Sequence, residues 1–172
     1  MDGQADRQFF IRPLQNADEA RLCAEFMATS EPWITLRRTF EDGLRALGDS
    51  TREVYVASIE NAIAGCIILK LGGPLNGYIQ TICVGPKWRN GGIGRKLIAF
   101  AEERIFRESP NVFLCVSSFN TRAQEFYARL GYERAGELKD YVVKGHSEVL
   151  MRKTLGPIEE FRPVSVGSRK LK

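Results

Sequence analysis

A short glycine-rich stretch is the part of the sequence best suited to bind an anion. It runs Arg89-Asn-Gly-Gly-Ile-Gly94 and leads directly into a segment with the apolar spacing of a helix. The first amides of a helix have no partners within the helix, and the helix dipole adds positive charge there. Glycines remove the side chains that would keep an anion away from those amides. With Arg95 and Lys96 following, the stretch predicts a cradle for a phosphate or pyrophosphate group.

Two well-known nucleotide-binding motifs do not match this stretch. The chain contains no Gly-Lys-Ser/Thr, which excludes a Walker A loop, and Leu97 stands where the last glycine of a dinucleotide-binding motif belongs. An ordinary turn at Gly91 and Gly92 is the alternative that the glycines alone leave open. Other phosphate-rich cofactors therefore become the main candidates.

The elements around the glycine stretch form a predicted βαβ unit. Residues 78–84 are rich in β-formers, and 112–116 is an almost wholly apolar run, which is typical of a strand buried on both faces. Between them, helical spacing places one apolar face on Leu97, Ile98, Ala101 and Ile105. Because a crossover helix joins parallel strands, we expect the two strands to run parallel.

The segments before this unit supply a strand, two helices and a hairpin. A strand is predicted at 9–12 and helices at 17–27 and 36–47, from their apolar periodicity. Segments 53–59 and 62–71 are rich in Val, Ile and Tyr and are joined by Glu60-Asn61, which indicates a hairpin.

After the unit, the sequence predicts one more helix and a closing hairpin. Thr121-x-x-Gln124 can form a capping box for a helix from about 121 to 130. Segments 138–143 and 147–153 flank Lys144-Gly145-His146 and are predicted to pair. The chain as a whole thus predicts a mixed α/β fold: a central, mostly antiparallel sheet of six to seven strands with one parallel pair, flanked by about four helices.

Composition indicates one globular domain. Of 172 residues, 44% are hydrophobic and 27% charged, which is far from the bias of disordered chains. We expect a flexible N-terminus at 1–8, a domain at 9–155 and a basic tail at 156–172. Since no apolar run approaches the ~20 residues that span a bilayer, and the start lacks the order of a secretory signal, a cytoplasmic protein without a membrane partner is expected.

Charge and cysteine content narrow the binding partners. The net charge is +4, but from 156 to 172 four Lys and Arg oppose two Glu, so the rest of the chain carries only +2. That value argues against a dedicated nucleic-acid surface. The four cysteines lie in apolar runs without CxxC spacing, and there is one histidine. Buried free thiols are therefore favoured over disulfides, and no metal is expected.

Four short motifs follow one another along the chain. Arg89-x-x-Gly92-x-Gly94 comes after a strand that ends in Ile82-Cys83-Val84. Asn120 follows the buried strand, Phe126-Tyr127-x-x-x-Gly131-Tyr132 ends the next helix, and 141–151 contains Gly145, Glu148 and Leu150-Met151. In this order they resemble the GNAT family of acetyl-CoA-dependent N-acetyltransferases. The resemblance implies the GNAT fold, with acetyl-CoA as cosubstrate and an amine as acceptor.

The resemblance also implies where the cosubstrate is bound. The backbone of Ile82, Cys83 and Val84 would contact the pantetheine arm of acetyl-CoA. Asn120 would contact the pantetheine or the adenine side of the same molecule. Tyr127 would stand beside the thioester sulfur. The pyrophosphate would be bound by the amides of Arg89, Asn90, Gly91, Gly92, Ile93, Gly94 and Arg95.

Acetyl transfer to an amine requires an acid and an oxyanion donor. Tyr127 is the predicted acid for the departing thiolate, because a phenol with a pKa of about 10 is protonated at neutral pH. Packing against the sheet is the alternative role for this side chain. The Val84 amide is the predicted oxyanion donor if the strands separate there, as in relatives.

The general base is left open among several residues. In the ribosomal-protein N-terminal acetyltransferases of the family, a glutamate lies five residues before the asparagine, and here Cys115 has that position. Glu31, in the loop between the first two helices, is the first candidate to deprotonate the amine. The alternatives, acting through water, are Glu148, Tyr78 and Gln80.

We predict an N-acetyltransferase that works by direct attack in a ternary complex. The missing glutamate favours a small-molecule acceptor over a peptide amine. Three alternatives remain: a covalent route through Cys83 or Cys115, a non-catalytic acetyl-CoA sensor, and nucleic-acid binding through Arg169-Lys-Leu-Lys172. Exposed edge strands would also be compatible with a homodimer.

Overall fold

A seven-stranded sheet with helices on both faces forms the centre of the molecule. The computed structural model describes residues 8–163. Its strands are β1 Phe9–Pro13, β2 Glu53–Ile59, β3 Ala62–Lys70, β4 Tyr78–Val84, β5 Asn111–Ser117, β6 Glu133–Leu138 and β7 Glu148–Thr154. Its α-helices are α1 Ala17–Ala28, α2 Phe40–Leu47, α3 Ile93–Ile105 and α4 Thr121–Arg129. Short 3-10 turns occupy Pro86–Trp88 and Ile158–Glu160.

The strand order is β1-β2-β3-β4-β5-β7-β6. Among these strands, β4 and β5 form the parallel pair and the other neighbours are antiparallel. The β2–β3 hairpin turns at Glu60 and Asn61, whose φ values of 49° and 68° suit a tight two-residue turn. The predicted mixed α/β fold with one parallel pair and four helices is confirmed.

Each face of the sheet has its own apolar cluster, because side chains alternate between the faces along a strand. One cluster packs α3 onto the sheet and contains Leu97, Ile98 and Ile105. The other packs α1 and α2 onto the opposite face and contains Met27 and Leu47. Fully burying one such side chain stabilises the fold by roughly 1.5–3 kcal/mol. β3 and β4 are therefore held from both faces.

The second helix begins later than its apolar periodicity predicts. α2 starts at Phe40 rather than at residue 36, since Thr39 caps it. The Thr39 hydroxyl accepts a hydrogen bond from the Asp42 amide at 3.2 Å, and the Asp42 carboxylate accepts one from the Thr39 amide at 2.8 Å. Arg37 has a φ of 53°, which a right-handed helix does not allow. Residues 31–37 form turns instead.

The prediction of a strand at 138–143 was wrong. The partner of β7 is β6, which ends at Leu138, and 139–147 is a loop. In that loop the Asp140 carboxylate accepts a hydrogen bond from the Gly145 amide at 2.6 Å, and both residues have positive φ. A carboxylate that satisfies a backbone amide locally favours a turn over a strand ladder.

The two ends of the chain fall outside the described residues. Residues 1–7 contain most of the predicted flexible N-terminus, and 164–172 contain Arg169, Lys170 and Lys172 of the predicted basic tail. Within 8–163, none of the helices has the length and apolar character needed to span a membrane.

Candidate active site

A gap opens at one end of the parallel strand pair. β4 and β5 pair only through Tyr78 with Phe113 and Ile79 with Leu114. On its other side β4 remains paired with β3 as far as Val84. Most of β4 therefore faces an opening on the side of β5, where a ligand with amide groups could pair with the strand.

A cavity of about 800 Å³ occupies this gap. Its volume lies within the range of small-molecule sites, about 300–1,000 Å³. Six residues predicted to contact a cosubstrate line the cavity: Ile82, Cys83, Val84, Gly94, Asn120 and Tyr127. Glu31, the predicted base, also lines it. The fold thus brings together residues that lie up to 96 positions apart in the chain.

Two amides of β4 point into the gap. The Gly85 amide donates a hydrogen bond to the Ala64 carbonyl at 2.9 Å, across the β3 side of the strand. Peptide directions alternate along a strand, so the amides of Ile82 and Val84 point to the other side. Because β5 has separated there, these amides have no ladder partner among residues 8–163. Either of them could stabilise negative charge on a carbonyl oxygen in the gap.

The Arg89 side chain anchors the end of β4. Its Nε donates to the Val84 carbonyl at 3.1 Å, and its Nη2 donates to the Ser30 hydroxyl at 2.5 Å. Ser30 follows α1, and its hydroxyl donates to the Phe26 carbonyl at 2.6 Å. The guanidinium thus ties the strand to α1. Sequence reasoning assigned Arg89 only to phosphate binding, and no local pattern signals a contact across 59 positions.

The N-terminus of α3 has no side-chain cap among the described residues. The three other helices are capped by the side chains of Asn16, Thr39 and Asn120. At the corresponding position of α3, Gly92 has a φ of 78°, in the left-handed region that favours glycine. A Cβ placed on Gly92 would meet nothing within 4 Å, so space is open there. The first amides of α3 are therefore available to an anion.

The other cradle residues lie beside the cavity rather than in its lining. They are Arg89, Asn90, Gly91, Gly92, Ile93 and Arg95. Asn90 adopts a φ of 64°, and its side-chain oxygen accepts a hydrogen bond from Arg122 on α4 at 2.8 Å. The Ile93 side chain is buried in the core, so only its backbone is available to a ligand. This loop is suited to a group at the mouth of the gap.

Asn120 caps α4, a position that the sequence assigned to Thr121. The Asn120 side-chain oxygen accepts a hydrogen bond from the Ala123 amide at 3.2 Å. The predicted capping box is absent, because the Gln124 side chain donates to the carbonyls of Ser117 and Ser118 instead. Asn120 therefore orients the helix that carries Tyr127.

Tyr127 offers a protonated hydroxyl at the cavity wall. The side chain is 7% exposed and lies edge-on to the rings of Phe126 and Tyr132, at centroid distances of 5.2 and 5.7 Å. Burial raises the pKa of the phenol above its usual value, so the hydroxyl is protonated at neutral pH. It makes no hydrogen bond within the described part of the chain. A ligand sulfur could accept its proton.

Glu31 is already engaged within its own loop. One carboxylate oxygen accepts from the Thr35 amide at 3.2 Å and the other from the Thr35 hydroxyl at 3.0 Å. The residue is exposed. These contacts resemble a helix cap, so the carboxylate stabilises the turns of 31–37 at the cavity wall.

Glu148 has the environment of a proton acceptor. It is 5% exposed, lines the cavity, and accepts a hydrogen bond from the Ser117 hydroxyl at 2.7 Å. Burial raises the pKa of the carboxyl, and the Ser117 hydrogen bond and the charges of Arg38 and His146 oppose part of that shift. A carboxylate with a raised pKa is a stronger base than one on the surface.

The thiols near the gap are poor nucleophiles. Burial raises the pKa of Cys83 to about 12, and it also raises that of Cys115. Cys115 lies beside Tyr78, whose own pKa burial raises. Since the thiolate is the reactive form, a covalent acetyl-cysteine is disfavoured. Within 8–163, no group of three His, Cys, Asp or Glu residues is placed to hold a metal.

Comparison with known proteins gives one family and many similar folds. Residues 17–132 match the family described as acetyltransferase (GNAT) family. No curated protein matches the chain by sequence. The similar solved structures include a protein from Desulfovibrio desulfuricans that is described as an acetyltransferase of the GNAT family. It is 17% identical, with a TM-score of 0.71, and the match covers 87% of this chain and all of the other.

Two further structures differ in their acceptors. Ribosomal-protein-alanine N-acetyltransferase from Escherichia coli is 16% identical with a TM-score of 0.68, over 87% of this chain and 96% of the other. A protein from Bacillus anthracis described as a streptothricin acetyltransferase was solved with acetyl coenzyme A. It is 25% identical with a TM-score of 0.56, over 62% of this chain and 64% of the other.

Proposed function

Since the chain belongs to the acetyltransferase (GNAT) family, we propose that it transfers the acetyl group of acetyl-CoA to a primary amine by direct attack in a ternary complex. The observation that carries this proposal is the gap between β4 and β5, which joins unpaired strand amides to a protonated tyrosine. The acetyl-CoA bound to the Bacillus anthracis structure supports the choice of donor.

The residues around the gap fit the three parts of acetyl-CoA. The uncapped start of α3, with Gly91, Gly92 and Gly94, suits a pyrophosphate. The open side of β4 from Ile82 to Val84 suits the amides of a pantetheine arm, which can pair as a strand would. Bound there, acetyl-CoA supplies an acetyl group as a thioester.

Each proton and bond then has an assigned place. The amine nitrogen bonds to the acetyl carbon, and the Val84 amide stabilises the negative charge that develops on the carbonyl oxygen. The carbon–sulfur bond breaks as Tyr127 donates its proton to the sulfur. The amine's surplus proton passes to a base, and water returns a proton to Tyr127. The products are an N-acetyl amine and a free thiol.

Glu148 is the base that we propose, acting through a water molecule. Its burial and raised pKa favour proton uptake, whereas the Glu31 carboxylate is engaged with Thr35. Glu31 is then a residue that shapes the wall. Tyr78 remains protonated because burial raises its pKa, which makes it a poor base.

A small molecule is the proposed acceptor. Cys115 stands where the N-terminal protein acetyltransferases resembled by this chain have a glutamate, so their base is missing. Trp33 and Leu36 also line the cavity and add apolar wall to it. The Bacillus anthracis protein described as a streptothricin acetyltransferase, at 25% identity, supports a small-molecule acceptor.

The first experiment titrates acetyl-CoA into the wild type and a Gly92→Glu variant by calorimetry. Glutamate would put negative charge beside the α3 amides, so we expect acetyl-CoA binding to be lost. Gly73→Glu is the matched control, because Gly73 has a φ of 80° and open space like Gly92, with φ 78°. Both variants carry the same backbone strain and charge change.

An amine panel scored for free thiol completes the test. Release of thiol by a small amine, with binding lost only in Gly92→Glu, supports the enzyme. Binding without turnover on any amine or peptide would indicate a sensor instead. Absence of acetyl-CoA binding to the wild type would contradict the proposal.

A further inference from the structure

The cavity extends beyond the gap to a cationic row at the start of β2. Lys70, the last residue of β3, lies opposite Tyr78 of β4, and Glu53 of β2 lies opposite Leu69. Arg52 precedes Glu53, so Arg52, Lys70 and Tyr78 form one row across three strands. All three line the cavity. The row lies on the face of the sheet that packs against α1 and α2.

Arg52 has donors that the described residues leave without hydrogen bonds. Its Nε and Nη1 are buried and have no hydrogen-bond partner. Nε is 3.3 Å from an Asp49 oxygen, an ion-pair distance, but no hydrogen bond forms. A buried guanidinium donor without an acceptor is costly to keep, more so than a neutral group. The Arg52 side chain is still 19% exposed and lines the cavity, so its accessible edge is open to an acceptor group at this end.

Nearby carboxylates do not supply that acceptor. Asp49 accepts from the Thr51 amide and hydroxyl through its other oxygen, at 2.9 and 2.6 Å. Glu53 is hydrogen-bonded to Tyr55 and Arg104. Arg52 and Lys70 together therefore outweigh Asp49 by one positive charge.

The guanidinium group of Arg52 is suited to bind a planar or tetrahedral anion. Its N–H groups match the two oxygens of a carboxylate or phosphate, and such charge-assisted bonds are the strong ones. Resting on the proposed acetyl transfer, we infer that the acceptor is a primary amine that also carries an anionic group, a carboxylate or a phosphate, bound by Arg52 and Lys70.

The position of the row sets the shape of this acceptor. Tyr78 is four residues before Ile82 along β4, which is roughly 13 Å at the rise of a strand. The amine must reach the acetyl group near Ile82 and Glu148, while the anion meets side chains that extend from the row. The two groups of the acceptor are therefore separated by several bonds, as in an ω-amino acid rather than an α-amino acid.

The test compares amines that differ only at the far end. The probes are ε-aminocaproate, aminohexyl phosphate, the neutral aminohexanol and the dication hexamethylenediamine. We expect the wild type to acetylate an anionic probe with a kcat/KM about 10- to 100-fold above that of aminohexanol, the size of a hydrogen bond to a charged group. The two anionic probes distinguish a carboxylate site from a phosphate site.

Arg52→Gln removes the guanidinium group and should abolish the preference for anionic probes. The readout is the ratio of kcat/KM on an anionic probe to that on aminohexanol, so a loss of rate common to both probes does not count as loss of the preference. Arg45→Gln is the control, since Arg45 lies on α2 with a side chain that is 74% exposed and paired with Asp42. A conservative Arg52→Lys should restore part of the preference. Melting curves of all variants report on folding.

Binding tests the anion site independently of turnover. Calorimetry of ε-aminocaproate and aminohexyl phosphate in the presence of CoA should show binding that Arg52→Gln weakens by a similar factor. Equal kcat/KM for neutral and anionic probes, or binding indifferent to Arg52, would overturn the inference while leaving acetyl transfer intact. Arg52-dependent binding without any turnover would support the anion site and contradict the proposed acetyl transfer.

Discussion

Tyr127 and Glu148 are proposed for opposite proton transfers although burial acts on both in the same direction. Burial raises the pKa of each acid because it disfavours the charged form. A phenol, with a pKa near 10, is pushed further into its protonated form. A carboxyl starts near 4.3 and moves towards the pH at which enzymes work. One effect thus prepares an acid on α4 and a base on β7.

Replacing Tyr127 with phenylalanine tests the acid. The ring contacts with Phe126 and Tyr132 are kept, and only the proton donor is lost. We expect kcat to fall by roughly 100-fold or more, with acetyl-CoA binding unchanged. Tyr132→Phe is the control, because the Tyr132 hydroxyl lies beside Glu102 of α3 and does not line the cavity. Equal rates for the two variants would leave Tyr127 a packing residue.

Replacing Glu148 with glutamine tests the base through its pH dependence. The wild-type kcat/KM should fall on the acid side, through a pKa above the ordinary value of a carboxyl. Glutamine keeps an oxygen for the Ser117 hydroxyl but cannot accept a proton. We expect the variant to lose rate at neutral pH and to lose this acid limb. An unchanged profile would exclude Glu148 as the base.

The pH dependence of folding stability gives a second measure of the raised pKa of Glu148. Its pKa is higher in the folded chain than the value of about 4.3 when unfolded, so the unfolded state ionises more readily. Glu148 therefore reduces stability as pH rises above about 4.3, and the reduction is complete above the folded pKa. Glu148→Gln should melt higher than the wild type at pH 7 and no higher below about pH 4. Glu125→Gln, on an exposed residue, should show no such trend.

At the level of elements, the N-termini of α3 and α4 differ in whether a side chain caps them. Asn120 satisfies an amide of α4, whereas Gly92 leaves the amides of α3 open. Both helices flank the gap. The first amides of α4 are used for stability, whereas the first amides of α3 are left for a ligand. Arg89 then fixes where β4 ends between them.

Two variants of Asn120 distinguish its role as the cap of α4 from a contact with acetyl-CoA. Asn120→Ala removes the side-chain acceptor and should reduce the free energy of unfolding by about 1 kcal/mol. Asn120→Asp keeps an acceptor and should melt near the wild type. Calorimetric binding of acetyl-CoA to Asn120→Asp then reports on the predicted contact. Equal melting of both variants would show that the cap contributes little.

At the level of the whole molecule, the domain depends on two apolar clusters that meet at the sheet. Both clusters are built from residues between β1 and β7. Within residues 8–163, the last backbone hydrogen bond between this body and the segment after β7 joins the Leu155 amide to the Pro110 carbonyl, at 2.8 Å. The side chains of Leu155 and Ile158 are exposed. We therefore propose residues 9–155 as the acetyltransferase domain.

Ending the chain after Leu155 tests this boundary. Neither cluster loses a member, so melting temperature and acetyl-CoA affinity should stay close to those of the full chain. The deletion removes four Lys and Arg against two Glu. If the tail binds nucleic acid, salt-sensitive binding should disappear with it. A large fall in melting temperature would place part of the tail in the fold.

Local patterns by themselves determined most elements and the parallel pair, and they predicted the glycine cradle. Helix and strand periodicity and tight turns depend on neighbouring residues, which a sequence displays directly. The same patterns misplaced the start of α2 and the strand at 138–143, because capping and turn hydrogen bonds there outweigh apolar spacing.

Only the tertiary structure decided which side chains remain free to do chemistry. Glu31 and Glu148 are equivalent carboxylates in sequence, but one is exposed and engaged with Thr35 while the other is buried in the cavity. Arg52 belongs to no sequence motif, and only the alignment of β2, β3 and β4 places its side chain in the cavity wall beside Lys70. The burial of a side chain and its hydrogen-bond partners depend on contacts between segments that are distant in the sequence. Burial and partners in turn set the pKa of an acid and decide whether a charged group is open to a ligand.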